Sequence, residues 1–253
     1  MLDDFTPIIR RLDGRTIKVW AVADVHIGAK ECDLDGFKRF LKAVEADDDS
    51  YIVIVGDLIS NGLKSSVTNV YEEAMPPSAQ IDLAVQLLEP VKHKILGMVS
   101  GNHERRSKKD CDIDPLFTIA AILRINDRFR QNMAFLRIIL ERGSTKENYA
   151  IMLTHGKTAN KKKQFTAICE GIDAAIFAHT HTPDVLMPSR IRFTTSNRIV
   201  MHNVVVLTAC SWLKSGGYSL SGLYVPQAVS TPQALQLEFN GTNSKKGRVS
   251  VIW

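Results

Sequence analysis

Five of the chain's seven histidines fall in short segments that also hold Asp, Asn and Gly. The segments are Asp24-Val25-His26, Gly56-Asp57, Gly101-Asn102-His103-Glu104, Thr154-His155-Gly156 and Ala178-His179-Thr180-His181. Each follows an apolar run, at 17–23, 52–55, 95–99, 150–153 and 174–177. Such a run reads as a buried strand, so each segment should occupy the loop that leaves it, where α/β folds carry their chemistry. Alternate residues of an extended segment point the same way, so Asp24 with His26, and His179 with His181, are expected to converge in pairs. Pairs of these residue types look like metal ligands.

Seven candidate ligands follow: Asp24, His26, Asp57, Asn102, His155, His179 and His181. Carboxylates, an amide and imidazoles make a borderline oxygen and nitrogen set, suited to Mn, Fe, Zn or Ni rather than to Ca or a thiolate site. Seven overfill one tetrahedral centre but suit two ions sharing a carboxylate, typically about 3.5–4 Å apart. The competing reading makes each Asp after Gly a turn residue and each buried His a satisfied core group. One motif alone leaves the two readings even, and five in series favour a binuclear site.

The same five blocks, in order, resemble the signature of the calcineurin-like metallophosphoesterases: D-x-H, G-D, G-N-H-[ED], a lone H, and G-H-x-H. The stretch from Asn69-Val70-Tyr71-Glu72 through Ile81-Asp82-Leu83-Ala84 to Ser100-Gly101-Asn102-His103-Glu104 is also similar to a phage- and prophage-encoded subgroup, which names no substrate. The family resemblance implies an α/β fold in which two mixed β-sheets pack face to face with helices outside (α-β-β-α). It implies two divalent ions, Mn first, with Fe, Zn or Ni as alternatives. Asp57 would bridge them, with Asp24, His26 and His181 on one side and Asn102, His155 and His179 on the other. The reaction implied is hydrolysis of a phosphate ester by a metal-bridging hydroxide, with His103 as a non-ligand group that stabilises the transition state or protonates the leaving oxygen.

Two departures from the family pattern matter. Ala178 stands where Gly usually precedes H-x-H, which removes backbone freedom but no ligand. The protein phosphatase branch has G-D-x-V-D-R-G, whereas this chain has Gly56-Asp57-Leu58-Ile59-Ser60-Asn61-Gly62. That argues against the protein phosphatase branch and leaves His103 without an obvious orienting carboxylate, Glu104 being the adjacent acid.

Arg105-Arg106-Ser107-Lys108-Lys109 follows one ligand motif, and Lys157 with Lys161-Lys162-Lys163 follows another. Arg105, Arg106, Lys108 and Lys109 could frame a track for DNA, RNA or a nucleotide leading to the site. The alternative is solvated loop charge, partly neutralised by Asp110, Asp112 and Asp114. The formal net charge of +5 is too modest to decide between them. A phosphodiesterase acting on nucleic acid or nucleotides is therefore expected first, a phosphomonoesterase on a small or protein substrate second, and a binding protein with vestigial metals third. His93 and His202 lie outside every motif and read as structural or surface residues. Trp212 and Tyr218 read as packing residues, with base stacking as the alternative.

At 253 residues and 45% hydrophobic, the chain can bury a substantial core. Motifs spread over 24–181 admit no earlier cut, so a single domain over 1–253 is expected. Residues 1–12 lack the apolar core of a signal peptide, and no run approaches the roughly 18–20 apolar residues of a membrane span, so a cytoplasmic protein is expected. The cysteines at 32, 111, 169 and 210 form no C-x-x-C pair and read as reduced thiols. Apolar periodicity and caps predict helices from Asp33 to about Ala46, from Ser78 to Leu88 with Ile81, Val85 and Leu88 on one face, and from Asp114-Pro115 to Ile122. The stretch between Gly62 and Pro77 reads as an insertion that shapes the substrate mouth or as a plain connection. Strands are expected at 135–140, 149–153, 174–177, 200–207 and 249–252, forming a second sheet. Gly216-Gly217 and 241–247 read as turns.

Overall fold

A computed structural model describes residues 4–14, 16–64, 66, 71, 73–156, 171–193, 198–214, 235–239 and 248–252. Lys157, Lys161, Lys162, Lys163, Gly216, Gly217, Tyr218, the 241–247 turn and residues 65, 67–70 and 72 lie outside that set. The architecture is two mixed β-sheets packed face to face and flanked by helices. In the first sheet β2 (Ile17–Val22), β3 (Ser50–Val55), β4 (Ile95–Val99) and β5 (Phe129–Arg130) run parallel. Strands β13 (Leu235–Phe239) and β14 (Val249–Ile252) extend that sheet antiparallel beyond β2. The second sheet runs in the order β1 (Ile8–Asp13), β6 (Met133–Arg142), β7 (Thr145–Thr154), β8 (Ala174–Phe177), β12 (Val205–Thr208) and β9 (Asp184–Leu186). A two-stranded ribbon, β10 (Ser189–Phe193) with β11 (Ile199–Asn203), completes the described strands.

Strand alternation builds the layers. Val53 and Val55 of β3 point into the core between the sheets, while Ile52 and Ile54 point to the helices. On β7, Ile151 and Leu153 face the same inter-sheet core and Met152 faces outward. Over the first sheet lie α1 (Leu34–Ala46), α2 (Pro77–Leu88) and α4 (Pro115–Ile122), which bury Phe37, Leu41, Ala84, Leu88, Leu116 and Ile119 against it. Caps set two of the helix starts: Asp33 accepts from Gly36 N at 3.3 Å, and Asp114 accepts from Leu116 N and Phe117 N. No helix among the described residues is long and apolar enough to cross a membrane.

Four sequence expectations need correction. The buried face of α2 centres on Gln80, Ala84 and Leu88, with Ile81 and Val85 only partly buried, because the Gln80 amide is held by Asn61 N and Met75 O. The apolar run 200–207 is two strands in different sheets, broken where Val204 N bonds Pro188 O. The 249–252 strand belongs to the first sheet, through β13. The basic run after Asn102 is α3 (Asn102–Cys111), a helix rather than a loop.

Candidate metal centre

The five motifs leave the C-terminal ends of β2, β3, β4, β7 and β8, and backbone bonds lace them together. Asp24 N donates to Gly56 O at 3.1 Å, His26 N to Asp57 O at 3.0 Å, Ala178 N to His155 O at 3.2 Å and Trp212 N to Asp24 O at 3.0 Å. The sequence pattern implied extended segments for the Asp24–His26 and His179–His181 pairs, and the structure corrects this. Asp24, His26, Asp57, His179 and His181 all take positive φ, between 48° and 78°. On the loops after β2, β3 and β8 the candidate ligands are thus left-handed, while Asn102 and His155 are not, and such strain persists only where surrounding bonds impose it. Ala178 is absent from the left-handed residues, so its place in the motif makes no demand for glycine.

The side chains form two groups with ligand atoms within 4.8 Å of one another, Asp24 with His26 and His181, and Asp57 with His155 and His179. In the first, Asp24 Oδ1 lies 3.2 Å from His181 Nε2 and 3.8 Å from His26 Nε2. In the second, Asp57 Oδ2 lies 3.2 Å from His155 Nε2, and Asn102 Oδ1 is 3.0 Å from that same nitrogen. The groups abut, since His155 Nε2 is also 4.0 Å from Asp24 Oδ1. His155 Nδ1 faces the Val55 carbonyl at 2.7 Å, which makes Nδ1 the protonated nitrogen and leaves Nε2 to coordinate.

Electrostatics favour cations here. Asp24 and Asp57 are fully buried; burial pushes their carboxyls up, but His181 and His155 outweigh it and both stay below the usual carboxylate range. Burial opposes a charge on His155, yet Asp57 and Asp24 raise it to about 10. His26 is held well below its ordinary value by burial and by His103. Asp24 Oδ1 is buried without a hydrogen bond of good geometry, the condition of an oxygen that a metal would satisfy. The residues fit a pair of divalent ions.

His103 approaches the same centre, with Nε2 3.8 Å from Asp57 Oδ2 and its ring 4.4 Å from that of His26. A third group of possible ligands, His26, Asp57 and His103, reflects this proximity. Both nitrogens of His103 are engaged elsewhere: Nδ1 faces Ser60 O at 2.5 Å and Nε2 faces Arg106 Nη2 at 3.0 Å. A carbonyl only accepts and a guanidinium only donates, so the proton sits on Nδ1. The Ser60 carbonyl thus orients the His103 ring through Nδ1, while the Ser60 hydroxyl donates to Glu73 Oε1 at 2.8 Å. Asn61 points into the core, donating to His103 O at 2.6 Å and exchanging bonds with Ser107 Oγ.

Glu104 turns inward, away from His103. Its Oε2 accepts from Asp57 N and Gly101 N, and its Oε1 from Leu58 N and Ile59 N. Burial, with Asp57 and Asp114 nearby, pushes its carboxyl up to about 7. The sequence missed this clamp, although the G-x-x-E spacing is the pattern of a helix whose third residue caps its own start.

The chain belongs to the calcineurin-like phosphoesterase family. The family model matches residues 17–183, the span that contains every ligand motif. Among solved structures the chain is similar to a metallophosphoesterase from Sphaerobacter thermophilus, with 13% identity, a TM-score of 0.41 and coverage of 94% of this chain and 89% of that one. It is similar to the Pseudomonas putida nuclease MPE at 18% identity and a TM-score of 0.35, covering 92% and 87%. It is similar to Chaetomium thermophilum Vps29 at 12% identity and a TM-score of 0.37, covering 93% and 95%. A comparison with curated proteins returned no match. The family assignment rests on the family model.

The basic residues of this phosphoesterase fare unequally. Lys108 pairs with Asp112 at 2.5 Å, Lys109 is exposed, Arg105 is half-buried, and Arg106 reaches His103. Trp212 is buried against Phe37 and Phe40 and is a core residue. His93 is exposed on the short turn Lys92–Lys94, away from the motifs.

Proposed function

We propose that the chain is a phosphoesterase working with two divalent ions, Mn first, and acting on phosphodiesters of nucleic acid or nucleotides. The observation that carries this is the meeting of two ligand groups at Asp24 and Asp57, with a buried Asp24 oxygen left for a cation. In this proposal Asp24, His26 and His181 hold one ion, Asn102, His155 and His179 the other, and Asp57 bridges. Two divalent ions would supply Lewis acidity toward phosphoryl oxygens and lower the pKa of water at the site. Support for a diester comes from the basic helix α3 leaving the site and from Asn61, which occupies the protein phosphatase arginine position but faces inward.

The chain's own groups define the rest. His103 N–H donates to Asp57 Oδ1 at 2.9 Å, so the residue that approaches the reacting phosphate also holds the shared carboxylate. Its Nδ1 proton is committed to Ser60 O, so a proton given to a leaving oxygen must be carried on Nε2. Burial holds His103 below its ordinary value, Asp57 pulls it up, and Arg106 pushes it down. A phosphomonoesterase is the second reading, favoured by the Arg106 guanidinium beside His103.

The test is a divalent-metal screen against mono-, di- and cyclic phosphates and oligonucleotides, with elemental analysis of the loaded protein. The expected result is two ions per chain and faster turnover of bis-p-nitrophenyl phosphate than of p-nitrophenyl phosphate. One ion per chain refutes the binuclear assignment. Nucleic-acid binding without cleavage of any ester, by fully loaded protein, would make the chain a binding protein.

A further inference from the structure

We propose that Arg106 grips a free phosphoryl oxygen of the substrate and thereby sets how strongly the site takes monoesters relative to diesters; this rests on the phosphoesterase reading above. The basic run on α3 is not one uniform track. Glu104 and Ser107 face the core, and the Lys108 side chain is drawn to Asp112 at the end of the helix. Arg106 lies three and four residues beyond His103 and Asn102, so it shares their face. Its Nη2 is 3.0 Å from His103 Nε2, and that nitrogen is 3.8 Å from Asp57 Oδ2. One imidazole therefore separates the guanidinium from the carboxylate at the middle of the cluster.

Arg106 is partly exposed and stands beside the more open side of the cluster. The His103 side chain retains 14% of its exposure and that of His181 31%, against 0–4% for Asp24, Asp57, His26 and His155. A guanidinium is permanently charged and presents a flat fork of donors that matches phosphate oxygens. A monoester offers three non-bridging oxygens and up to two negative charges, whereas a diester offers two oxygens and one charge. Coulomb attraction scales with that charge, so a cation there favours the monoester. Glu73, whose carboxyl feels Arg106, and Asp110, one turn further along α3, moderate the field, and Asp57 opposes Arg106 at His103.

If Arg106 served only to hold His103, its loss would affect every substrate alike. The test compares metal-loaded wild type with Arg106→Gln and Arg106→Lys, on p-nitrophenyl phosphate and bis-p-nitrophenyl phosphate, with inorganic phosphate binding followed by calorimetry. For Arg106→Gln, phosphate affinity and monoester kcat/KM should each fall roughly 10- to 100-fold, as expected for one charge-assisted hydrogen bond. The diester should lose several-fold less, and Arg106→Lys should fall between. Unchanged phosphate affinity, or equal losses on the two esters, overturns the proposal. A wild type that turns over no ester counts against the phosphoesterase reading, while its phosphate affinity with and without Arg106 still decides this one.

Discussion

At the residue scale, the candidate ligands that the fold brings together were legible because metal-binding chemistry admits few residue types, and the supports were not, because they act on backbone. Glu104 shows the contrast. Its four partners are the N–H groups of Gly101, Asp57, Leu58 and Ile59, three of them 45 to 47 residues away in sequence, so no local pattern announces them. Asn61 and Gln80, also fully buried, do equivalent work that composition marks only as polar. Glu104 carries a pH signature as well. Its folded carboxyl stands near 7, above the ordinary value of 4.5, because of burial and the charges of Asp57 and Asp114. The folded state therefore holds a proton that the unfolded state releases, and stability declines as pH rises through that window. In chelator-treated protein the unfolding free energy of wild type, measured at one fixed temperature, should fall between about pH 4.5 and 7 more steeply than that of Glu104→Gln, by an amount on the order of 3 kcal/mol or less. Parallel curves for the two proteins would remove Glu104 as the source.

At the element scale, helices with an apolar stripe were readable and the helix without one was not. The predicted span of α1 matches its observed bounds closely, and that of α4 is Pro115–Ile122 as capped by Asp114. Helix α3 buries Glu104 and Ser107 in place of apolar residues, so hydrophobic periodicity is blind to it. Its start is fixed by packing of loop on loop. A Cβ on Gly101 would stand 2.0 Å from Asp57 Oδ1 and 2.5 Å from Asp57 N, although the Gly101 backbone itself is extended. Space, and not φ, demands glycine there. Gly101→Ala should therefore push the shared carboxylate aside and lose both ions together, although Gly101 offers no ligand. Metal per chain, measured beside a His93→Ala control, decides it: retention of two ions by Gly101→Ala would show that Asp57 does not depend on that contact.

At the scale of the whole molecule, the two-sheet sandwich gathers loops from residues 24 to 181 at one place, an arrangement the motif order implied but could not locate. What the sequence left open is whether the charge on α3 reaches a polymer. Among the described residues Arg105, Lys108 and Lys109 make no side-chain hydrogen bond or ion pair to the candidate ligands, so the role proposed for them concerns phosphates beyond the scissile one. Each cation that displaces a counterion from a nucleic acid adds about 0.7–0.9 to the slope of log affinity against log salt. With Lys108 already paired to Asp112, neutralising Arg105, Lys108 and Lys109 together should flatten that slope by about 2 for an oligonucleotide. Turnover of bis-p-nitrophenyl phosphate should stay almost unchanged, because a small diester meets only the metal centre, His103 and Arg106. An unchanged salt slope with intact small-diester turnover would confine the substrate to something no longer than a nucleotide. Equal losses on polymer and small diester would instead place the three cations in the support of α3.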